Sequence, residues 1–121
     1  MNPEEMREKA EAATGLLKAL ANRNRLMILC QLVECECSVG DLAKRLDLRD
    51  TVVSQHLGLL RRDGLVAPRR DGQTIYYSLQ GEEAGKVLQT LYEIYCVADV
   101  AQERTMPAAG RDAPTSPDDD T

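Results

Sequence analysis

No stretch of this 121-residue chain is an uninterrupted apolar run of the roughly 18 residues that a membrane-spanning helix needs. Its opening residues, MNPEEMREKAEAA, are charged where a secretory leader would be apolar. Both absences lead to the expectation of a soluble, cytoplasmic protein. Histidine occurs once, at His56, which leaves little for a metal site built on imidazole. No nucleophile, base and oxyanion-donor grouping can be assembled from the residues present, so an enzyme is not expected. Nor is there an internal repeat. Cysteine is scarce as well, with Cys30, Cys35, Cys37 and Cys96. In a reducing compartment such spacing is not a permanent disulfide framework, and each thiol is left to metal binding, transient sulfur chemistry or packing as a small hydrophobe.

The chain is one domain's worth, of a size at which a partner subunit helps to stabilise the fold. Its formal net charge of −5 argues against nonspecific adhesion to nucleic acid, but the charge is unevenly placed. Between Asp41 and Ser78 there are seven Lys and Arg residues against five Asp, and the acidic excess lies outside that block. A cationic middle between acidic ends is compatible with a DNA-reading surface.

Asn2-Pro3-Glu4-Glu5 is a helix start, with a capping side chain, a proline in the first turn and acids at the positive end of the helix dipole. Met6, Ala10, Ala13, Leu16, Leu17 and Leu20 follow at helical spacing and need a partner surface. Asn22 can cap a second helix whose apolar stripe includes Cys30. Ser38-Val39-Gly40-Asp41 has the form of a capping box and opens a short third helix through Leu46. Cys35 and Cys37 fall in the connection, beside Glu34 and Glu36, and are expected to be wetter than Cys30.

After a break at Asp47-Leu48-Arg49, residues 50–62 read as a fourth helix stopped by Gly64. Val53, Leu57 and Leu60 would face inward, leaving Thr51, Ser54, Gln55 and Arg61 outward. Two short helices joined by about three residues, the second with a hydrogen-bonding face, form a helix-turn-helix. Two β-type runs then flank Asp71-Gly72-Gln73 as a hairpin, with Pro68 suited only to an edge strand and Arg69 and Arg70 beside the tip. Such a ribbon is the wing of a winged helix and can touch phosphates or the minor groove. A last helix is expected from about Glu82 to Ala101, with Ala84, Val87, Leu88, Leu91, Ile94, Tyr95 and Ala98 as its stripe. The fold expected is therefore mainly α, in the order α-α-α-α-β-β-α, with a domain over residues 1–104 and a disordered acidic tail over 105–121.

Over residues 14–96 the segments LKALANRNRLMIL, SVGDLAKRL, VVSQHLGLLRRDGLV and RRDGQTIYYSL, in that order, resemble the ArsR/SmtB family of small dimeric bacterial repressors. The resemblance implies a homodimer built by the first and last helices and a recognition helix entering the major groove of double-stranded operator DNA. The DNA-binding residues it implies are Thr51, Val52, Ser54, Gln55 and His56, with Arg69 and Arg70 on the wing. Chemistry points the same way, since Gln and Ser can hydrogen-bond base edges while Arg61, Arg62 and the wing arginines can neutralise phosphates.

The arsenic-type metal site of that family uses cysteines where this chain has Ser38, Gly40 and Ala43, and its zinc-type site needs histidines that the last helix lacks. No cofactor is therefore expected. Cys35 and Cys37 remain as soft ligands for a thiophilic ion such as As(III), an alternative reading with only two ligands. RLMILC and LYEIYC, with Cys30 and Cys96 66 positions apart, resemble the sulfide- and persulfide-responsive branch of the family. That resemblance implies reactive sulfur species as inducer and Cys30 and Cys96 as the sensing dithiol. Of the two, Cys96, near a helix end beside Tyr92 and Tyr95, is the one expected to be attacked first, because Cys30 lies in an apolar stripe. A non-sensing regulator of the nodulation type, which shares the wing motif, is the other alternative. Outside DNA binding, winged helices also serve as protein-interaction modules.

Overall fold

The computed structural model describes residues 1–97, and the expected tail and the end of the last helix lie outside them. The chain divides into two compact units, Met1–Leu88 and a second beginning at Gln89.

The first unit starts with α1 (Pro3–Leu20). The Asn2 side chain accepts from the Glu4 backbone N–H at 2.8 Å, and Pro3 occupies the first turn, where its missing N–H costs nothing. Only Ala19 and Leu20 of this helix are buried, while Met6 and Leu17 stay exposed. Asn22 then caps α2 (Arg23–Glu34) by accepting from the Arg25 N–H at 3.0 Å. Arg25 also fixes the corner between these helices, because its Nε donates to the Ala19 carbonyl at 2.8 Å and its Nη2 to that of Lys18 at 3.3 Å. Carbonyls at a helix C-terminus lack intrahelical partners, and a guanidinium there satisfies them.

α2 sends Ile28, Leu29 and Leu32 into the core. α3 (Val39–Leu46) opens on the expected capping box, with the Asp41 N–H donating to Ser38 Oγ at 3.1 Å and the Ser38 N–H to Asp41 at 3.4 Å. It ends at Asp47, whose φ of 57° lets the chain reverse into α4 (Asp50–Arg62). Val53, Leu57 and Leu60 of α4 are fully buried, and this row of three sets which face the helix turns outward. Gly64, at φ 80°, follows the helix in the left-handed conformation that glycine adopts without strain.

The wing strands are β2 (Val66–Asp71) and β3 (Thr74–Leu79), paired antiparallel from Val66–Leu79 to Asp71–Thr74 around Gly72. A short strand absent from the sequence-based order, β1 (Cys37–Ser38), pairs with Tyr77 and Tyr76 of β3, giving a three-stranded sheet in the order β1-β3-β2. Pro68 therefore sits on an edge strand, as its missing N–H demands. The pairing also corrects the expected exposure of the cysteines: Cys37 is fully buried, Cys30 half-buried and Cys35 exposed.

α5 (Glu83–Tyr92) buries Ala84 and Leu88. It passes into a π-helical turn over Glu93–Val97 rather than continuing regularly. Tyr92, Ile94, Tyr95 and Val97 are exposed, so the expected apolar stripe continues onto residues that meet solvent within their own unit. Ala98 to Ala101, read as the end of this helix, lie outside the described residues.

Candidate functional site

Because three buried side chains hold α4 from beneath, Thr51, Ser54 and Gln55 are exposed together on its outer side, with Arg61 exposed at its end. Val52 and His56 are half-buried. Arg62 is exposed and lines an open cleft of about 1090 Å³ whose walls include Leu16, Leu59, Leu65 and Val87. These residues give α4 a hydrogen-bonding outer face and a cationic end, a combination suited to reading base edges while phosphates are neutralised.

His56 is set more deeply than a groove-facing residue would be. Its Nδ1 is buried with no hydrogen-bond partner among the described residues, and burial, then the nearby Arg25 charge, pushes its pKa below the usual 6.5. In the unfolded chain the imidazole takes a proton as pH falls through 6.5, whereas in the folded chain it resists until lower pH. The unfolded state then binds more protons, so stability is full above that value and declines below it. Urea unfolding at a series of pH values should show this loss, and His56→Gln should flatten it; an unaltered slope in the variant would assign the acid sensitivity elsewhere.

Arg69 and Arg70 are both exposed on β2, but their situations differ. Arg69 Nε and Nη2 donate to the Glu36 carboxylate at 2.8–3.2 Å. Its guanidinium carbon stands 5.2 Å from the centre of the Tyr76 ring, and Asp71 lies at 4.0 Å. The hydrogen bond from Arg69 draws the Glu36 pKa below its ordinary value. A two-pronged guanidinium–carboxylate pair has defined geometry, so Glu36 competes with any phosphate for this wing arginine. Sequence reasoning missed Glu36, which is 33 positions away from Arg69.

Of the cysteines, Cys30 lies on α2 in the first unit, packed against the core. Cys96 is exposed on the π-helical turn, in the second unit. Cys35 and Cys37 approach each other, with their sulfurs 3.9 Å apart and Arg45 Nη1 reaching them at 3.6 and 3.4 Å. Among the described residues no group of three or more His, Cys, Asp or Glu side chains is placed to hold a metal ion. The same residues contain no helix long and apolar enough to cross a membrane.

Helix-turn-helix, three-stranded sheet and arginine-bearing wing together define a winged-helix domain. Residues 16–67 match the family described as "Bacterial regulatory protein, arsR family". The chain is 46% identical over 99 residues to the transcriptional activator HlyU of Vibrio cholerae, covering 82% of this chain and 92% of that protein. It is 48% identical over 93 residues to the nodulation protein NolR of Rhizobium meliloti, covering 77% of this chain and 76% of that one. The crystal structure of the transcriptional repressor BigR from Xylella fastidiosa superimposes with a TM-score of 0.76 at 40% identity, over 79% of this chain and 98% of that chain. A structure of reduced HlyU from V. cholerae matches with a TM-score of 0.73 at 46% identity, over 77% and 98% of the two chains. The protein belongs to the arsR family of bacterial transcriptional regulators.

Proposed function

We propose that the chain is a homodimeric repressor of double-stranded operator DNA that lets go when persulfide or polysulfide joins Cys30 to Cys96 in each protomer. The observation that carries the DNA-binding half is the exposed set Thr51, Ser54 and Gln55, on a helix seated in the core by Val53, Leu57 and Leu60. For dimerisation, the exposed Met6 and Leu17 of α1, and separately the exposed Tyr92, Ile94 and Tyr95 of the second unit, supply apolar surface of the kind that subunits cover. A solution structure matching this chain, with 31% identity and a TM-score of 0.64, is of a homodimeric winged helix-turn-helix domain from Mycobacterium bovis.

For the switch, an exposed Cys96 on a π-helical turn and a half-buried Cys30 on a core helix suit attacking and resolving roles. The Cys96 thiolate would take the terminal sulfur of a persulfide, releasing a thiolate. The Cys30 thiolate would then attack Cys96 Sγ, breaking its bond to the outer sulfur, which leaves as hydrosulfide, and forming a Cys30–Cys96 disulfide.

Binding to the DNA upstream of its own gene should weaken steeply with salt, because phosphate contacts release counterions. Flat or absent binding would favour a protein-interaction module instead. Gln55→Ala should reduce discrimination between operator and random duplex by about 1–3 kcal/mol. Arg70→Ala should weaken both duplexes alike and lower the salt slope by about one phosphate. A competition assay giving the reverse order would mean that another element reads the bases.

A further inference from the structure

The Cys35-Glu36-Cys37 segment brings two features together that the proposed function leaves unused. Its two sulfurs lie 3.9 Å apart under the Arg45 guanidinium, and the residue between them holds the wing through Arg69. We propose that Cys35 and Cys37 are a second oxidation-sensitive dithiol, separate from Cys30 and Cys96, whose closure to a disulfide releases Arg69 from Glu36 and strengthens the wing's hold on phosphate.

The two thiols are inequivalent in a way that assigns their order. Cys35 follows α2 in an extended conformation and is exposed, so a solvent-borne oxidant reaches it. Cys37 is fully buried and paired with Tyr77, out of reach of solvent. Burial first, then the hydrogen bond with Cys35, pushes the Cys37 thiol up to about 11, so it stays protonated at neutral pH. A hydroperoxide supplies the oxidising equivalents. The Cys35 thiolate attacks its O–O bond, forming a sulfenic acid as the outer oxygen leaves as alkoxide or hydroxide and takes up a proton. Cys37 sulfur then attacks the Cys35 sulfur, the S–O bond breaks, and the Cys37 proton leaves with hydroxide as water. Two thiols are oxidised to one disulfide while one peroxide is reduced.

A disulfide bond is only about 2.05 Å long, so the sulfurs must approach by roughly 2 Å. Cys37 is held by the core and by β3, and the motion therefore falls on Cys35 and on the backbone of Glu36. A fork-to-fork ion pair tolerates little displacement. Once Glu36 moves, Arg69 is left beside Tyr76 at the wing with its donors turned to solvent or phosphate.

The test uses the full-length chain carrying Cys30→Ser and Cys96→Ser, so that its outcome is independent of the sensing pair proposed above, with hydrogen peroxide as oxidant and a mixed-sequence duplex as ligand. Peptide mapping should find a Cys35–Cys37 disulfide. The oxidised protein should bind several-fold more tightly, with a salt slope steeper by about one phosphate contact. Glu36→Gln in the same background should already bind more tightly and gain nothing from peroxide. Adding Cys35→Ser, at an exposed position that does not threaten the core, should abolish the response. The proposal is overturned if both thiols stay open to alkylation after peroxide, if the disulfide forms without changing affinity and slope, or if Glu36→Gln responds as fully as its parent.

Discussion

Replacing either Cys30 or Cys96 by serine is expected to leave operator binding intact and to abolish its release by inorganic polysulfide. Serine is close to cysteine in size, and neither position belongs to the outward face of α4 or to the wing, so the DNA-competent form should persist. Only the covalent link is lost. Its effect on DNA equals the difference in strain between competent and incompetent dimers, and a difference of about 1–3 kcal/mol corresponds to some 5- to 150-fold in affinity. The link itself, closing a loop of 66 positions, would stabilise the fold by roughly 4 kcal/mol against the unfolded chain. The oxidised wild type should therefore melt higher than its reduced form even as it loses DNA, and neither single variant should show that difference. Titration of operator DNA with and without polysulfide checks the first expectation, and thermal unfolding the second. Full release from both single variants would remove the sulfur-sensing claim and leave the DNA-binding claim standing.

Leu57→Ala should cost about 2–5 kcal/mol of stability. Leu57 is fully buried on the side of α4 opposite Gln55, between Val53 and Leu60. Truncation leaves a cavity beneath the recognition helix, in a fold whose total stability is of the order of 5–15 kcal/mol. Operator discrimination should fall together with stability, because the three buried residues fix the helix's rotation. Leu59→Ala, at an exposed neighbour on the same helix, should cost far less. Urea unfolding of the two variants gives the comparison, and equal destabilisation would mean that α4 is not seated as described.

The helices were legible in the sequence because their signals are local. Asn2, Asn22 and the Ser38–Asp41 pair mark three helix starts within a few residues, and each makes its capping bond. Val53, Leu57 and Leu60 fix one face of α4 by spacing alone, and Pro68 forecasts an edge strand. What was not legible depends on contacts across the chain. β1 has only two residues and exists because β3 offers it a partner. Such a strand is too short to show a period, and so Cys37 was expected in water when it lies in the core. Glu36 and Arg45 likewise owe their roles to folding, which brings one to Arg69 and the other to the two sulfurs. His56 sits at a position shared with the recognition face in the sequence, yet its buried Nδ1 ties it partly to the interior. The regular last helix was expected from an unbroken apolar stripe, which carries no mark of the π-helical turn at Glu93–Val97.

The central claim is that a sulfur bridge between α2 and the turn after α5 is what dislodges DNA. Its most direct test is peptide mapping of the full-length, operator-bound protein at the moment polysulfide releases it. A Cys30–Cys96 link within one chain, appearing in step with release, is the expected result. Release with those two thiols still open to alkylation would contradict it.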